Sequence, residues 1–279
     1  MSLAFSPLAA MAAGQFASGV SLVEVYASVL DERGEPVTGL SADDFIVEED
    51  GRRQRVQTFA ASDFPLSLAI AVDRSFSLSQ ARLTQIVYAV QRLLGELRDE
   101  DRVTLLAIGS EVETLTPLSA DHRAAYDALV GLTPWGTTPL FDATTKAIER
   151  VQNASGRRAL ILVTDGDERY SASTAAEMVA NARRHDVLVY PVSLRATSPP
   201  VLAELANVTG ARAAAVPRLD QLAAALSSIA RELRQQYLLG YVPSSAASQA
   251  GIEVWRTISV RVEQPGVRVR ARDGYYAGR

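Results

Sequence analysis

Two near-continuous apolar runs, each followed by an aspartate, are the feature that most constrains the fold of this chain. Residues 66–72 read LSLAIAV and precede Asp73, and residues 159–164 read ALILVT and precede Asp165. Runs of this kind are typical of strands buried on both faces, as in a parallel sheet. The pattern therefore predicts a parallel sheet in which two strands end at carboxylates.

The residues between and beyond these runs alternate between helical and strand patterns. Apolar side chains recur at three- and four-residue spacing over residues 83–97, which predicts a helix. Further helices are predicted at residues 121–130, 139–153, 172–185 and 219–235, and further strands at residues 103–108, 113–118, 187–192 and 213–216. Such alternation predicts βαβ units. The expected fold class is α/β, with a doubly wound, mostly parallel sheet flanked by helices in a Rossmann-like arrangement.

Both segments that flank this α/β region have the alternating pattern of strands. Asp50-Gly51 follows the strand pattern of residues 45–49 and is a strong hairpin signal. Residues 256–262 and 267–272 alternate strictly, with arginines on one face. We interpret this face as solvated, and a polyanion site is the less favoured interpretation. Neither segment is large enough to bury an apolar face alone. We therefore expect the two segments to pair into one small, discontinuous β unit of sandwich type.

These patterns divide the chain into four segments. The predicted segments are residues 1–16 (a leader), 17–63 (N-terminal β segment), 64–236 (α/β domain) and 237–279 (C-terminal β segment). The first is apolar and contains A-x-A steps but no positively charged start. It is interpreted either as the remainder of a trimmed signal sequence or as a disordered or helical extension. The first interpretation is favoured and predicts an exported protein, in the periplasm, on the cell surface or secreted.

Composition excludes several classes of chemistry. The chain has no Cys, two His and a single Lys, Lys146. A disulfide scaffold, a thiolate zinc site, an iron–sulfur cluster and a cysteine nucleophile are therefore excluded, and a P-loop is absent. The net charge of −4 argues against nucleic acid as a partner. No apolar run reaches the roughly 18–20 residues that span a bilayer.

The residues at the predicted strand ends are oxygen donors. The first apolar run leads into Asp73-Arg74-Ser75-Phe76-Ser77, which has the form D-x-S-x-S, and the later run leads into Thr164-Asp165-Gly166. Between them lies a loop, residues 136–143, that contains Thr138. Open α/β sheets bind ligands at the carboxyl ends of their strands. Carboxylates and hydroxyls suit Mg²⁺, Mn²⁺ or Ca²⁺, so we expect a divalent cation there, most of all Mg²⁺.

These three pieces, in this order, resemble the metal-ion-dependent adhesion site of the von Willebrand factor A domain over roughly residues 65–235. The resemblance implies that Ser75, Ser77 and Thr138 bind the metal through their hydroxyls. It implies that Asp73 and Asp165 act mainly through metal-bound water. The family's usual G-G-T-P is G-T-T-P here, which assigns the ligand role to Thr138 and not to Thr137.

The flanking segments are similar to those of bacterial proteins with a von Willebrand factor A-related domain, and this resemblance covers residues 18–277. It rests on the pattern from Val29 to Gly51, on Tyr237 to Tyr241, and on Arg270 to Tyr276. Proteins of this type are generally exported.

Simpler structural roles compete with these assignments. Asp73, Ser75 and Ser77 are also good helix N-caps. Asp142 is expected to orient the metal ligands or to stabilise the start of a helix, more than to bind the metal itself. Asp167 is expected to be a charge on the rim of the site or to have no role.

The side chains beside the predicted donors are candidates for partner contact. Arg74 and Phe76 occupy the x positions of D-x-S-x-S and face a partner, unless Phe76 packs into the core. Trp135 is either an exposed contact or a side chain packed under its loop, and the sequence favours neither.

The predicted function is a non-enzymatic, adhesion-type protein-binding module. A partner protein or peptide supplies a carboxylate to the divalent cation. A scaffold with a structural metal is the alternative, and a metal-dependent hydrolase is a less favoured one, because no G-x-S-x-G elbow and no histidine lie within the motifs. The partner's identity and the oligomeric state are not predicted.

Overall fold

A six-stranded sheet forms the centre of the molecule. The computed structural model describes residues 22–61, 64–166, 168–243 and 252–278. The strands of this sheet are β5 (Leu66–Asp73), β6 (Arg102–Ile108), β7 (Val112–Ser119), β8 (Arg157–Thr164), β9 (Leu188–Ser193) and β10 (Ala214–Ala215). Their order is β10-β9-β8-β5-β6-β7, and all pairs are parallel except β6 with β7. The predicted mostly parallel sheet is confirmed, with the ends of β5 and β8 adjacent at its centre.

In the part of the chain that the structure describes, six helices cover the two faces of this sheet. They are α1 (Gln80–Leu94), α2 (His122–Ala128), α3 (Leu140–Val151), α4 (Ala175–Arg184), α5 (Pro200–Thr209) and α6 (Leu222–Arg234). Side chains alternate across a strand, so Ile70 and Val72 of β5 join the core beneath α1 and α6. Ala69 and Ala71 join the core beneath α3, α4 and α5. The doubly wound α/β class is therefore confirmed.

The flanking segments form two four-stranded sheets. Their strands are β1 (Val23–Leu30), β2 (Phe45–Glu49), β3 (Arg52–Gln54), β4 (Val56–Ala61), β11 (Tyr237–Tyr241), β12 (Val254–Val262), β13 (Arg268–Arg270) and β14 (Gly274–Ala277). One sheet has the order β13-β1-β11-β4 and the other β14-β12-β2-β3. Strands from before and after the α/β region pair in both sheets, β1 and β4 with β11 in the first and β2 with β12 in the second. This confirms the discontinuous β unit.

The β unit has its own core, which contains one buried carboxylate. Val25, Val47 and Leu239 are among its fully buried apolar side chains. Glu49 is 2% exposed. Its Oε2 accepts hydrogen bonds from the hydroxyls of Tyr241 at 2.8 Å and Tyr275 at 2.9 Å. Burial, together with these bonds to a carboxylate, raises the pKa of both tyrosines. Both sheets of the unit are thereby joined at a single buried group.

The arginine-bearing face of the C-terminal segment differs from its sequence interpretation. Arg261 and Arg268 are exposed as expected, but Arg270 and Arg272 are largely buried, with side chains 19% and 17% exposed. The reason is that β13 ends at Arg270 and lies against the α/β layer, whereas the chain after it crosses to the other sheet as β14. Within the described residues, none of the helices combines the length and apolar character needed to cross a membrane.

Candidate metal centre

The turn that leaves β5 brings three of the predicted donors together. Asp73 is the last residue of β5 and is fully buried. Its Oδ1 accepts a hydrogen bond from the backbone N–H of Ser75 at 2.9 Å, which folds the turn back on itself. The hydroxyls of Ser75 and Ser77 lie 2.8 Å apart. Ser79, not these serines, caps α1 by accepting from the N–H of Arg82, so both predicted serine donors remain at the strand end.

Backbone hydrogen bonds tie the threonine loop to this turn. The N–H of Phe76 donates to the carbonyl of Gly136 at 3.0 Å, and the N–H of Trp135 donates to the carbonyl of Arg74 at 2.6 Å. Gly136 has φ +79°, a conformation that glycine adopts without strain. Thr138, two residues further on, is 2% exposed. The loop that contains the predicted threonine donor is thus fixed directly against D-x-S-x-S.

The end of β8 completes the arrangement through Thr164. The Thr164 hydroxyl donates to Asp73 Oδ2 at 2.8 Å and accepts from the N–H of Gly166 at 2.9 Å. Asp165, between them, is 9% exposed. The sequence motif includes Thr164 but predicts no role for its hydroxyl. The structure shows that it orients Asp73, a role that only the adjacency of β5 and β8 creates.

The surroundings of Asp73 disfavour the charged form of its carboxyl group. Burial raises its pKa above the ordinary value of an aspartate, and the nearby charge of Asp165 adds to this effect. Hydrogen bonds from Ser75 and Thr164 act in the opposite direction without cancelling it. Two acidic groups at one buried strand end favour a cation between them. The donor chemistry therefore fits a divalent metal.

Glu168 has a role that the sequence did not reveal. Pro139 precedes α3 and offers no side-chain cap. Glu168 Oε2 instead accepts from the N–H groups of Leu140 at 2.7 Å and Phe141 at 3.2 Å. It also binds Ser171 through the backbone N–H and the hydroxyl. Glu168 lies 28 residues from Leu140 in the sequence, so a local capping pattern cannot predict this cap.

Asp142 holds the same loop from the other side. It lies in the first turn of α3, and its carboxylate accepts from the N–H groups of Ala172 at 2.7 Å and Ser173 at 3.0 Å. Burial acts to raise the pKa of Asp142, but these bonds and one from the Ser173 hydroxyl outweigh it and lower the pKa. Asp142 therefore positions the loop that follows Asp165. Asp167 lies outside the described residues.

Exposed aromatic side chains surround the strand ends. Phe76 is 72% exposed, so the alternative of a core position is wrong. Both interpretations of Trp135, as a packed side chain and as an exposed contact, hold in part. Its ring lies against Gly109 and Arg74, and the residue is 40% exposed. Tyr170, which sequence reasoning missed, is 82% exposed and has φ +71°. We call Phe76, Trp135 and Tyr170 the aromatic rim.

Arg74 is engaged with its neighbours and does not project freely from the site. Its Nη2 lies 2.9 Å from Glu113 Oε2, and its guanidinium lies 5.2 Å from the centre of the Trp135 ring. The Arg74 side chain is 15% exposed. It therefore supports Trp135 and connects the site to β7.

The predicted donor set consists of two carboxylates and three hydroxyls. Within the described residues, no group of three or more His, Asp or Glu side chains is placed to hold a metal ion. A metal bound at this strand end would therefore depend on hydroxyl oxygens as well as on acids. Such a donor set leaves a divalent cation electrophilic and suits a hard ion.

The central part of the chain is similar in sequence to a known family. Residues 68–168 match the family model described as von Willebrand factor type A domain. This central part of the chain is similar to a von Willebrand factor type A domain. The matched residues run from β5 to the loop after β8 and include all five predicted donors of the metal site.

Solved structures share this fold. A von Willebrand factor type A protein from Catenulispora acidiphila has a TM-score of 0.55 and 12% identity, with 94% of this chain and 76% of that chain covered. Proximal thread matrix protein 1 from the mussel byssus, described with a zinc-occupied MIDAS motif, has a TM-score of 0.53 and 13% identity. That match covers 66% of this chain and 49% of the mussel chain. At these identities the likeness shows the fold alone.

A curated relative is similar over part of its length. Inter-alpha-trypsin inhibitor heavy chain H4 from Bos taurus is 25% identical over 136 residues, which is 44% of this chain. The chain spans 15% of the length of this relative. The similarity therefore covers part of this chain and does not extend to the whole bovine protein.

Proposed function

We propose that this protein is a non-enzymatic binding module that binds a partner protein or peptide through a divalent cation. The observation that carries the proposal is the convergence of three loops at one edge of the sheet. D-x-S-x-S, the Thr138 loop and Thr164-Asp165-Gly166 are joined to one another by the hydrogen bonds of Phe76, Trp135 and Thr164. Their side chains supply the oxygen ligands that such a cation needs.

The residues proposed to hold the metal are Asp73, Ser75, Ser77, Thr138 and Asp165. Mg²⁺ is the preferred ion, with Mn²⁺ and Ca²⁺ as alternatives, because all three bind hard oxygen ligands. The zinc described for the mussel neighbour supports a divalent ion at this position in the fold. When bound, the cation supplies a positive, ligand-accepting centre. An acidic side chain of the partner completes its ligand shell.

The surroundings of the site favour recognition over catalysis. His122 and His185, the two histidines of the chain, lie outside the three loops, so the hydroxyls of Ser75 and Ser77 have no histidine base. A nucleophilic hydroxyl needs such a base. The exposed aromatic rim is typical of a surface that contacts another protein. We propose that the protein acts outside the cytoplasm, in keeping with the apolar segment at residues 1–16.

Metal titration provides the first test. Isothermal titration calorimetry with Mg²⁺ and Mn²⁺ is expected to show one saturable site in the natural protein. Thr138→Ala is expected to weaken that site by about tenfold or more, as loss of one direct ligand would. Thr137→Ala, at the half-buried neighbouring position, is the matched control and keeps the natural affinity. Equal effects of the two substitutions would contradict the assignment of Thr138.

Partner capture provides the second test. The purified protein is used as bait against solubilised cell envelope, with Mg²⁺ or with excess chelator, and Asp73→Ala is run in parallel. We expect partners that are recovered with Mg²⁺ and lost both with chelator and in Asp73→Ala. Recovery of the same partners under all three conditions would refute metal-dependent binding. A melting temperature that falls with chelator while capture persists would identify the scaffold alternative.

A further inference from the structure

A cluster of arginines lies where the β unit meets the α/β layer, outside the metal-site motifs. We call it the arginine seam. Its members are Arg158, Arg212, Arg270 and Arg272, with the carboxylates Asp186 and Glu232. Arg270 ends β13, and Arg272 follows it two residues later, on the same side of an extended chain.

The seam carries more positive than negative charge. Glu232, which is 4% exposed, lies 2.9 Å from Arg212 Nε and 2.7 Å from Arg270 Nη2. Asp186 lies 2.6 Å from Arg158 Nη2 and 3.5 Å from Arg272 Nη1. Each carboxylate is therefore shared by two guanidinium groups, which leaves an excess of two positive charges.

Two of these arginines line a cavity. It has a volume of about 240 Å³ and lies between the end of α5 and the strands β12 and β13. Its lining includes Asn207, Ala211, Ile258, Val260, Arg270 and Arg272. The space accommodates a small ion or a charged group of a larger molecule. Arginines that carry excess charge therefore face a cavity and not a packed interior.

The two arginines that line this cavity retain unused donors. The Nε atoms of Arg270 and Arg272 are buried without a hydrogen-bond acceptor among the described residues. Arg270 Nη2 is close enough to Glu232 for an ion pair, but the two groups are not oriented for a hydrogen bond. Buried donors are normally satisfied, because leaving them unpaired costs stability. Guanidinium donors match the oxygens of phosphates and carboxylates.

We propose that this cavity is a binding site for a doubly charged oxyanion, held by Arg270 and Arg272. Two negative charges balance the excess of the seam, and the anion's oxygens accept from the guanidinium groups of Arg270 and Arg272. Asn207, exposed at the edge of the cavity, can donate a further N–H from its side-chain amide. The bound anion contacts both the β unit and α5, so it stabilises their association. This site is separate from the proposed metal centre.

Inorganic phosphate is the probe for the first experiment. The protein is titrated at constant ionic strength, with chloride replacing phosphate, and binding is followed by calorimetry and by the melting temperature. We expect saturable binding and a rising melting temperature in the natural protein. Arg270→Gln and Arg272→Gln are each expected to weaken the affinity by about tenfold or more. Arg268→Gln, at an exposed position of the same strand, retains the natural affinity.

A second variant avoids disturbing the ion pairs of the seam. Asn207→Phe places a ring at the exposed edge of the cavity and leaves all four arginines in place. It is expected to abolish phosphate binding without changing the melting temperature in phosphate-free buffer. Succinate, titrated in parallel, distinguishes a phosphate group from a pair of carboxylates. The proposal is overturned if neither anion binds saturably, or if Asn207→Phe and both arginine variants bind as the natural protein does.

Discussion

At the scale of single residues, the site contains buried charges and backbone angles that normally lower the stability of a protein. Asp73 is buried with its pKa raised by that burial, and Tyr170 holds a positive φ that aromatic residues rarely adopt. Gly136 holds its turn where Ser110 leaves no room for a side chain. Such features persist where the surrounding structure enforces them, and they cluster at functional sites.

Gly136→Ala tests how closely the threonine loop is packed. An added Cβ would lie 2.1 Å from the backbone nitrogen of Ser110, in a conformation with φ +79°. We expect a loss of roughly 3 kcal/mol in the free energy of unfolding, together with weakened metal binding, because the loop must shift. Urea unfolding and Mg²⁺ calorimetry measure the two effects.

Gly131→Ala is the control for this substitution. Gly131 has a similar φ of +87° but nothing within 4 Å of the added carbon. It should lose only about 1 kcal/mol from backbone strain and keep its metal affinity. An equal loss in both variants would show that strain alone matters and that the contact with Ser110 does not.

The aromatic rim gives a second prediction at this scale. Phe76→Ala and Tyr170→Gly remove exposed rings that have no structural role in the core. Each is expected to weaken partner binding by about tenfold while leaving Mg²⁺ affinity unchanged, because interface aromatics contribute strongly to binding. Glycine at position 170 also relieves the positive φ. Tyr88→Ala, on an exposed face of α1, should change neither quantity.

At the scale of elements, α3 connects the threonine loop with the loop after β8. Thr138 immediately precedes Pro139 and the first turn of α3, and Glu168 and Asp142 bind the later loop to that turn. The helix therefore fixes two of the three loops of the proposed metal site. The third loop follows β5, whose position is set by its pairing with β6 and β8.

Glu168→Ala tests this connection. It removes the acceptor for the N–H groups of Leu140 and Phe141, and we expect a loss of about 1–2 kcal/mol, as for other helix caps. Metal affinity should also fall, because the loop that carries Asp165 loses its anchor. Glu168→Gln keeps an acceptor oxygen and should recover part of both losses. Glu149→Ala, exposed on the same helix, should have little effect; a similar metal defect there would argue against a specific anchor.

At the scale of the whole molecule, buried ion pairs join elements that are far apart in sequence. Asp101 precedes β6 and is fully buried; it accepts from the N–H groups of Leu66 and Arg98 and from the guanidinium of Arg234. It therefore connects the start of β5 to the end of α6. Burial acts to raise the pKa of Asp101, but these three bonds outweigh it and lower the pKa.

Asp101→Asn is expected to cost roughly 3 kcal/mol at neutral pH, because it leaves Arg234 without its counter-charge. The lowered pKa also fixes the pH dependence. The contribution of Asp101 is complete above the ordinary carboxyl pKa of about 4 and is lost as pH falls toward the lower pKa of the folded state. Urea unfolding between about pH 5 and pH 3 should therefore show a shallower decline in the variant than in the natural protein.

Asp220→Asn is the comparison for this experiment. Asp220 pairs with Arg218 on the surface, where both side chains are more than half exposed and solvent screens their interaction. Its replacement should leave the unfolding free energy nearly unchanged at neutral pH. If both variants behave alike, the burial of Asp101 does not have the importance assigned to it.

The sequence by itself determined the fold class, the existence of the β unit and the motifs at the strand ends. It could do so because burial on both faces, helical periodicity and strand alternation are local patterns that a chain must satisfy wherever it folds. The predicted donors were likewise visible, since each motif lies within a few consecutive residues.

Only the tertiary structure decided which distant groups meet. Thr164 orients Asp73, Glu168 caps α3, and Glu232 forms ion pairs with arginines of different elements. The two partners in these interactions are 20 to 91 residues apart in the sequence. The alternating arginines of the last strands look alike in sequence, yet Arg268 is exposed and Arg270 is drawn into an ion pair. The physical reason is that hydrogen bonds and ion pairs depend on proximity in space, and the packing of the two layers sets that proximity.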